Sequence, residues 1–202
     1  MISLISSLKN LSAHTLLLEI SDTKSIQYYK DLGIDNAVLD HALKNLKKKK
    51  NEKSMSFYGD FFGAERLDIC FPKKDSYLDD TCDVLRNAPK NTLFLPTRDF
   101  TSAYEALTLA TYSYDRFITK KEEKNYSMFV PEALKKNVEK TKPLLDAIVR
   151  ARDIINLPPT DTRPEAFVEY IQSFKWKNFK LRIIDAKELK KLGCNLLLAV
   201  GS

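Results

Sequence analysis

The sequence has few of the residues from which catalytic and ligand sites are usually built. Of its 202 residues, five are glycine, three cysteine and two histidine. The glycines are well separated, whereas a backbone cradle for phosphate needs clustered glycines so that amide groups can converge. The sequence contains no His-Glu-x-x-His, Gly-x-Ser-x-Gly or phosphate-binding glycine loop. It therefore predicts no catalytic, metal-binding or cofactor-binding residue within this chain.

The histidines and cysteines are isolated. His14 and His41 have no motif partner, and a lone histidine is more often an ordinary surface or core residue than a ligand. Cys70, Cys82 and Cys194 form no Cys-x-x-Cys pair, and their odd number argues against a disulfide framework. This cysteine usage is typical of a reducing compartment, so we expect a cytoplasmic protein.

Long hydrophobic runs are also lacking. No apolar stretch approaches the ~20 residues that a membrane-spanning helix needs. The amino terminus has no basic cluster, and serines interrupt its apolar residues, so it is a poor signal peptide. With 44% hydrophobic and 30% charged residues, the composition indicates a globular protein with one domain, or one domain and part of another. We expect it to be soluble and not to bind membranes.

Positive charge is concentrated in one segment, Lys44–Lys53, which holds six of the lysines that give the chain its net charge of +6. A polyanion-binding patch, for nucleic acid or anionic lipid, would explain it. A solvated helix end explains it equally simply, because lysines suit the negative end of the helix dipole. The run has no interleaved aromatic residues, which favours the helix end, and a nucleic-acid-binding or regulatory module that uses this basic region remains the alternative function.

Apolar patterning predicts alternating strands and helices over the first 117 residues. Strands are expected at 16–20, 66–72 and 92–96, a strand pair around a turn at 57–63, and helices at 35–48, 77–86 and 100–117. The last helix has two possible caps, Asp99 or the capping box Ser102-x-x-Glu105. Residues 119–128 are charged and polar, which predicts the end of a first domain.

A helical stretch follows from Pro131 to Asn156. Pro143 interrupts it, since proline lacks a backbone donor and clashes with the preceding turn. The stretch is therefore either one kinked helix or two helices, the second beginning near Thr141. Beyond it, Thr162-x-x-Glu165 predicts a capping box that starts another helix with Pro164 in its first turn.

The remaining residues predict a strand at 180–185, a helix at 186–192 stopped by Gly193, and a buried strand at 195–200. With the helix that begins at Pro164, the order is helix, strand, helix, strand. That alternation is what a parallel α/β layer needs.

Two segments resemble the leucyl aminopeptidase (cytosol aminopeptidase) family. Residues 152–164 read Arg-Asp-Ile-Ile-Asn-Leu-Pro-Pro-Thr-Asp-Thr-Arg-Pro, and residues 198–201 read Leu-Ala-Val-Gly. Both are similar to the join between that family's N-terminal and catalytic domains, although Thr160 stands where asparagine is usual and Cys194-Asn195 where Met-Gly is usual. Residues 103–117 resemble a helix near the end of the family's N-terminal domain, with Ala106 in place of glycine.

The resemblance implies an α/β fold class. Residues 1–128 would form a macro-domain-like mixed sheet flanked by helices. Residues 129–157 would be a connecting helix. Residues 158–202 would be the first helix-strand-helix-strand of a second α/β domain, the beginning of the aminopeptidase catalytic domain.

The resemblance also implies an activity for the complete enzyme. Family members are cytoplasmic hexamers that remove N-terminal residues from peptides with two divalent metal ions, zinc or manganese, and a metal-bridged water. Their ligands lie in Lys-Gly-x-x-Phe-Asp-x-Gly-Gly and Asn-Thr-Asp-Ala-Glu-Gly-Arg runs, and neither run is present. No metal or catalytic residue can therefore be placed here. We expect the chain alone to be inactive and to have a structural or oligomerising role.

Overall fold

The computed structural model describes residues 2–8, 13–48, 54–97, 99–120, 125–174 and 179–201. The chain divides into two compact units, Met1–Val149 and Arg150–Ser202. The domain boundaries drawn from the sequence, after residues 128 and 157, remain predictions.

A mixed sheet of six strands forms the centre of the first unit. In spatial order the strands are β1, β6, β5, β2, β4 and β3, and every pair is parallel except the antiparallel pair β3 and β4. The strands are β1 (Ile2–Ile5), β2 (Thr15–Glu19), β3 (Ser54–Phe61), β4 (Ala64–Cys70), β5 (Thr92–Leu95) and β6 (Tyr126–Phe129). Strands β2 and β5 are buried along their whole length, as expected for parallel strands covered on both faces.

Helices cover both faces of this sheet, which confirms the α/β fold class. The helices of the first unit are α1 (Thr23–Asp31), α2 (Asn36–Lys48), α3 (Tyr77–Arg86), α4 (Phe100–Thr111), α5 (Glu132–Glu139) and α6 (Lys142–Ile155), the last of which continues past residue 149. Because side chains alternate across a strand, Leu16 and Leu18 pack with Tyr29 of α1, whereas Leu17 packs with Leu107 of α4.

Most predicted elements of the first unit are present. The strands expected at 16–20, 66–72 and 92–96 are β2, β4 and β5, and the expected strand pair is the β3–β4 hairpin. Helix α4 ends at Thr111, six residues earlier than predicted, because Thr111-Tyr112-Ser113-Tyr114 are weak helix formers. Its cap is Asp99, whose carboxylate accepts hydrogen bonds from the backbone N–H groups of Thr101 and Ser102 at 3.0 and 3.1 Å.

The interruption by Pro143 resolves into two helices. Helix α5 ends at Glu139 and α6 begins at Lys142. Pro143 lies in the first turn of α6, where no intrahelical bond needs its missing N–H. Of the two predicted alternatives, the separate helices are therefore confirmed.

The second unit is helical. It contains a 3-10 turn (Pro159–Thr162) and helices α7 (Pro164–Gln172), α8 (Ala186–Lys191) and α9 (Asn195–Gly201). Pro164 begins α7 as predicted, but the predicted capping box is wrong. The cap position is Arg163, which makes no side-chain cap bond, and the Thr162 hydroxyl donates instead to the Pro159 carbonyl at 3.2 Å.

Both strands predicted for this unit are wrong. Residues 180–185 have no regular secondary structure, and residues 195–201 form α9. A strand needs a neighbour for its backbone N–H and C=O groups, and the described part of this unit contains no strand that could pair with it. Leucine and alanine are strong helix formers, and a helix satisfies its own backbone, so Leu196–Ala199 becomes helical.

Candidate functional site at the carboxyl ends of the parallel strands

In an open α/β sheet, ligands bind at the carboxyl ends of the strands, at the point where the connections that follow two neighbouring strands lie on opposite faces of the sheet. Strands β2 and β5 are such neighbours. β2 leads into α1 and β5 into α4, and these helices pack on opposite faces of the sheet. The crevice between the carboxyl ends of β2 and β5 is therefore the candidate site.

Tyr29 of α1 fills this crevice with its hydroxyl group. The oxygen accepts a hydrogen bond from the Glu19 N–H at 2.8 Å, and the hydroxyl proton faces the carbonyl oxygens of Glu19, at 3.0 Å, and Leu95. The side chain is fully buried, and burial raises the pKa of the phenol well above its usual value. The hydroxyl therefore stays protonated and links Glu19, one residue beyond the last paired residue of β2, to Leu95, the last paired residue of β5.

A second set of hydroxyl groups lies beside this link. The Thr97 hydroxyl donates to the Ser25 hydroxyl at 3.3 Å, which joins the segment after β5 to α1. Ser25 donates in turn to Asp22, both from its backbone N–H at 2.8 Å and from its side chain at 2.9 Å. Asp22 is thus the cap of α1, and these polar groups satisfy one another rather than pointing to an open cavity.

Glu19 carries a fully buried carboxylate at the end of β2. The hydroxyl of Tyr77 donates to its Oε2 at 2.9 Å. Burial, and then the charge of Glu19, raise the pKa of Tyr77 far above its usual range, so this phenol also stays protonated. The pair ties the start of α3 to the central strand of the sheet.

Cys70 ends the neighbouring strand β4. Burial raises the pKa of its thiol well above the usual value, and the charge of Glu19 raises it further. Since the thiolate is the reactive form, Cys70 is not suited to nucleophilic chemistry. Nearby, Asp80 accepts hydrogen bonds from the Lys73 N–H at 3.2 Å and the Ser76 hydroxyl at 2.6 Å, which fixes the loop between β4 and α3.

The site as a whole has the chemistry of a structural network. Its phenols and thiol are held protonated, and its hydroxyl groups bond to neighbouring parts of the chain. The described residues contain no group of three or more histidine, cysteine, aspartate or glutamate side chains that could hold a metal ion. The described residues therefore offer no candidate for a two-metal centre. No signal in the sequence pointed to this network, because Tyr29 and Tyr77 belong to no motif.

The residues considered from the sequence lie elsewhere. His14 and His41 are both exposed, and the His41 ring packs edge-on against Phe57 with centroids 5.8 Å apart. In Lys44–Lys53, the side chain of Lys44 is exposed, and the side chains from residue 45 to 53 lie outside the described part of the structure. The nucleic-acid alternative therefore remains a prediction. No helix in the described residues is long and apolar enough to cross a membrane.

The second unit presents a different surface. None of its described residues is buried. Ten of its large apolar side chains are exposed, among them Leu196 at 86%, Val200 at 88% and Ile155 at 80% of their full accessible area. Local contacts within it include Arg150 over the Phe174 ring at 5.1 Å and the Tyr170 ring edge-on to the Phe174 ring, with centroids 4.9 Å apart. The described residues of the first unit expose only six large apolar side chains.

Comparison with known proteins gives the context for both units. No family model matches the chain. A probable cytosol aminopeptidase of Agrobacterium fabrum is 36% identical over 105 residues, which cover 47% of this chain and 21% of that protein. A probable cytosol aminopeptidase of Brucella suis is 28% identical over 132 residues, covering 57% of this chain and 27% of that protein.

Solved structures show the same relationship at the level of fold. A cytosol aminopeptidase from Coxiella burnetii matches with a TM-score of 0.63 at 20% identity, covering 94% of this chain and 41% of that one. A mutant of tomato leucine aminopeptidase matches with a TM-score of 0.64 at 13% identity, covering 95% of this chain and 46% of that one. The fold is therefore one that leucine aminopeptidases contain.

The sequence relatives are themselves peptidases by name, so the resemblance to the cytosol aminopeptidase family is confirmed. The match spans only about a fifth to a quarter of the length of these curated relatives.

Proposed function

We propose that this chain is the N-terminal part of a two-metal leucyl-type aminopeptidase that removes N-terminal residues from peptides. The observation that carries the proposal is the exposed apolar surface of residues 150–202, in the segment whose sequence resembles the opening of the catalytic domain. Burying one leucine, isoleucine, valine or phenylalanine side chain is worth about 1.5–3 kcal/mol. A surface with ten such exposed side chains favours a unit that is completed by more protein.

The metal ions of the complete enzyme, two zinc or manganese ions, would be held by residues that this chain does not contain. Neither family ligand run is present in the sequence, and the described residues do not fit a two-metal centre. The chain alone is therefore expected to be inactive, and its own role is structural and oligomerising within a cytoplasmic hexamer. The protonated, internally bonded network at the carboxyl edge of the sheet supports this non-catalytic role.

Activity measurements test the assignment of function to this chain. Purified chain with a leucyl chromogenic substrate and added Mn²⁺ or Zn²⁺ should give no metal-dependent turnover, whereas the Agrobacterium fabrum relative serves as the positive control. Turnover that requires metal and is lost on chelation would contradict the proposal.

A second measurement addresses the aminopeptidase assignment itself. The reading frame beyond Ser202 should encode an Asn-Thr-Asp-Ala-Glu-Gly-Arg run. A frame that continues without this run, or that stops at residue 202, would count against the proposal that the chain is part of a longer aminopeptidase.

A further inference from the structure

A polar cavity lies between α3 and the two outer strands of the sheet, β3 and β4, within the first unit. Its volume is about 350 Å³, which falls within the range of small-molecule sites, roughly 300–1,000 Å³. The wall formed by the strands is polar throughout, whereas the wall formed by α3 and the residues after it also contains apolar groups. The strands contribute Ser54, Ser56, Arg66 and Asp68.

Asp68 is the most deeply buried charged group of this cavity. Only 8% of its side chain is exposed, and its Oδ1 accepts a hydrogen bond from Arg66 Nε at 2.8 Å. Its second oxygen, Oδ2, has no hydrogen-bond partner among the described residues, and the protein does not enclose this oxygen completely. Asp83 also lines the cavity, but Arg86 pairs with it at 3.3 Å and balances its charge. A donor in the cavity would therefore gain most at Asp68 Oδ2.

Arg66 holds a positive charge beside this carboxylate. Its Nε donates to Asp68, and its Nη2 donates to the Ser56 hydroxyl at 3.2 Å. The guanidinium carbon lies over the Tyr58 ring, 5.7 Å from the ring centroid, which fixes the orientation of the group. A guanidinium group has five N–H donors, and these bonds use two of them, so three remain without a partner among the described residues.

We propose that this cavity binds a free α-amino acid with a small apolar side chain. The carboxylate of the amino acid accepts hydrogen bonds from Arg66, and its ammonium group donates to Asp68 Oδ2. The two charges of the ligand then lie antiparallel to the Arg66–Asp68 ion pair, so each charge meets its opposite. A ligand with a single charge is attracted by one of these residues and repelled by the other. Val84 and Ala88, on the helix side of the cavity, contact the apolar side chain. The inference does not depend on the proposed function.

Titration of this chain followed by two-dimensional NMR of its amide groups tests the class of ligand. L-Valine should bind with a dissociation constant of about 1–10 mM. Valinamide lacks the carboxylate and 3-methylbutanoate lacks the ammonium group, so each should bind about tenfold more weakly or worse. No detectable binding of L-valine, or equal binding of L-valine and either analogue, would overturn the proposal.

The variant Asp68→Asn tests the role of the buried carboxylate. It keeps the shape of the side chain but removes its charge, so L-valine should bind about tenfold more weakly or worse. The affinity for 3-methylbutanoate should rise, because Asp68 no longer repels the ligand carboxylate from Arg66. Opposite changes for the two ligands cannot come from a general loss of structure. Unchanged binding of L-valine, or an equal loss for both ligands in a folded variant, would overturn the proposal.

A pair of tryptophan variants tests the location without touching the ion pair. Ser54 is exposed and lines the cavity, so Ser54→Trp should fill the cavity and weaken L-valine binding about tenfold or more without unfolding the protein. The matched control is Tyr58→Trp on the same strand, which lies outside the cavity and keeps an aromatic ring beneath Arg66. It should leave L-valine binding unchanged. Equal effects of the two variants would place the ligand elsewhere and overturn the proposal.

Discussion

The hydroxyl of Tyr29 should contribute more to stability than any other single polar atom at the carboxyl edge of the sheet. Tyr29→Phe removes it without changing the ring. The Glu19 N–H, which faces the end of β5, then loses the oxygen that accepts its hydrogen bond. The carbonyl oxygens of Glu19 and Leu95 lose the hydroxyl proton that they face, and both residues are fully buried. Leaving a buried donor unsatisfied costs about 1–3 kcal/mol.

The neighbouring residue provides a matched control. The Tyr28 hydroxyl is also buried, but it makes no hydrogen bond within the described structure, and burial raises its pKa as well. Tyr28→Phe therefore removes an unsatisfied polar atom from the same helix and should leave stability unchanged or slightly higher. The two rings also touch, with centroids 5.4 Å apart, so both variants disturb the same packing.

Thermal unfolding followed by tyrosine circular dichroism measures the difference. For a unit of 149 residues, a loss of 1 kcal/mol lowers the melting temperature by about 2–4 °C. Tyr29→Phe should therefore melt roughly 2–12 °C below the wild type, and Tyr28→Phe less than about 2 °C from it. Equal melting temperatures for the two variants would refute the structural role assigned to the Tyr29 hydroxyl.

Two further predictions concern the cap of α4 and the cysteines. Burial acts to raise the pKa of Asp99, but hydrogen bonds from Ser102 and Thr101 outweigh it and lower the pKa below the usual value. The stability from this cap is therefore present above the unfolded pKa and lost as pH falls through the folded value. Asp99→Ala should cost about 1 kcal/mol at neutral pH and little at pH 2, measured by urea unfolding at both pH values, and a cost independent of pH would contradict the charged cap. A thiol reagent should modify Cys194 rapidly in the native protein, and Cys70 and Cys82 only after denaturation; fast modification of all three would contradict their burial.

The parts of the fold that could be predicted are those with a strong local pattern. Strands such as β2 and β5 are short apolar runs bounded by polar residues, and α2 has an apolar stripe at helical spacing. Pro143 marked the end of one helix and the start of the next because its effect on the backbone is local.

Three elements of the first unit, α1, β1 and β6, had no such pattern. Helix α1 contains Ser25, two adjacent tyrosines and no leucine, and only the cap Asp22 could have revealed it. Strand β6 follows a charged run that indicated a domain end, and β1 consists of four residues interrupted by Ser3. Both strands are held by pairing with strands far away in the sequence, which local patterning cannot detect.

The candidate site was unpredictable for a related reason. Glu19 and Tyr77 are 58 residues apart, and neither belongs to a recognisable motif. The strands predicted at 180–185 and 195–200 were wrong for a different reason, because here a local pattern was present but did not decide the structure. Their apolar composition is compatible with both a strand and a helix, and the choice depends on whether a neighbouring strand exists.

The pairing of β1 with β6 has a consequence during translation. Ile2 lies beside Tyr126, so β1 is synthesised 124 residues before the strand with which it pairs. At roughly 5–20 residues per second, β1 waits about 6–25 s before its partner has been synthesised. Throughout that interval its backbone groups have no place in the sheet, so a chaperone that shields nascent β1 would have its greatest effect here.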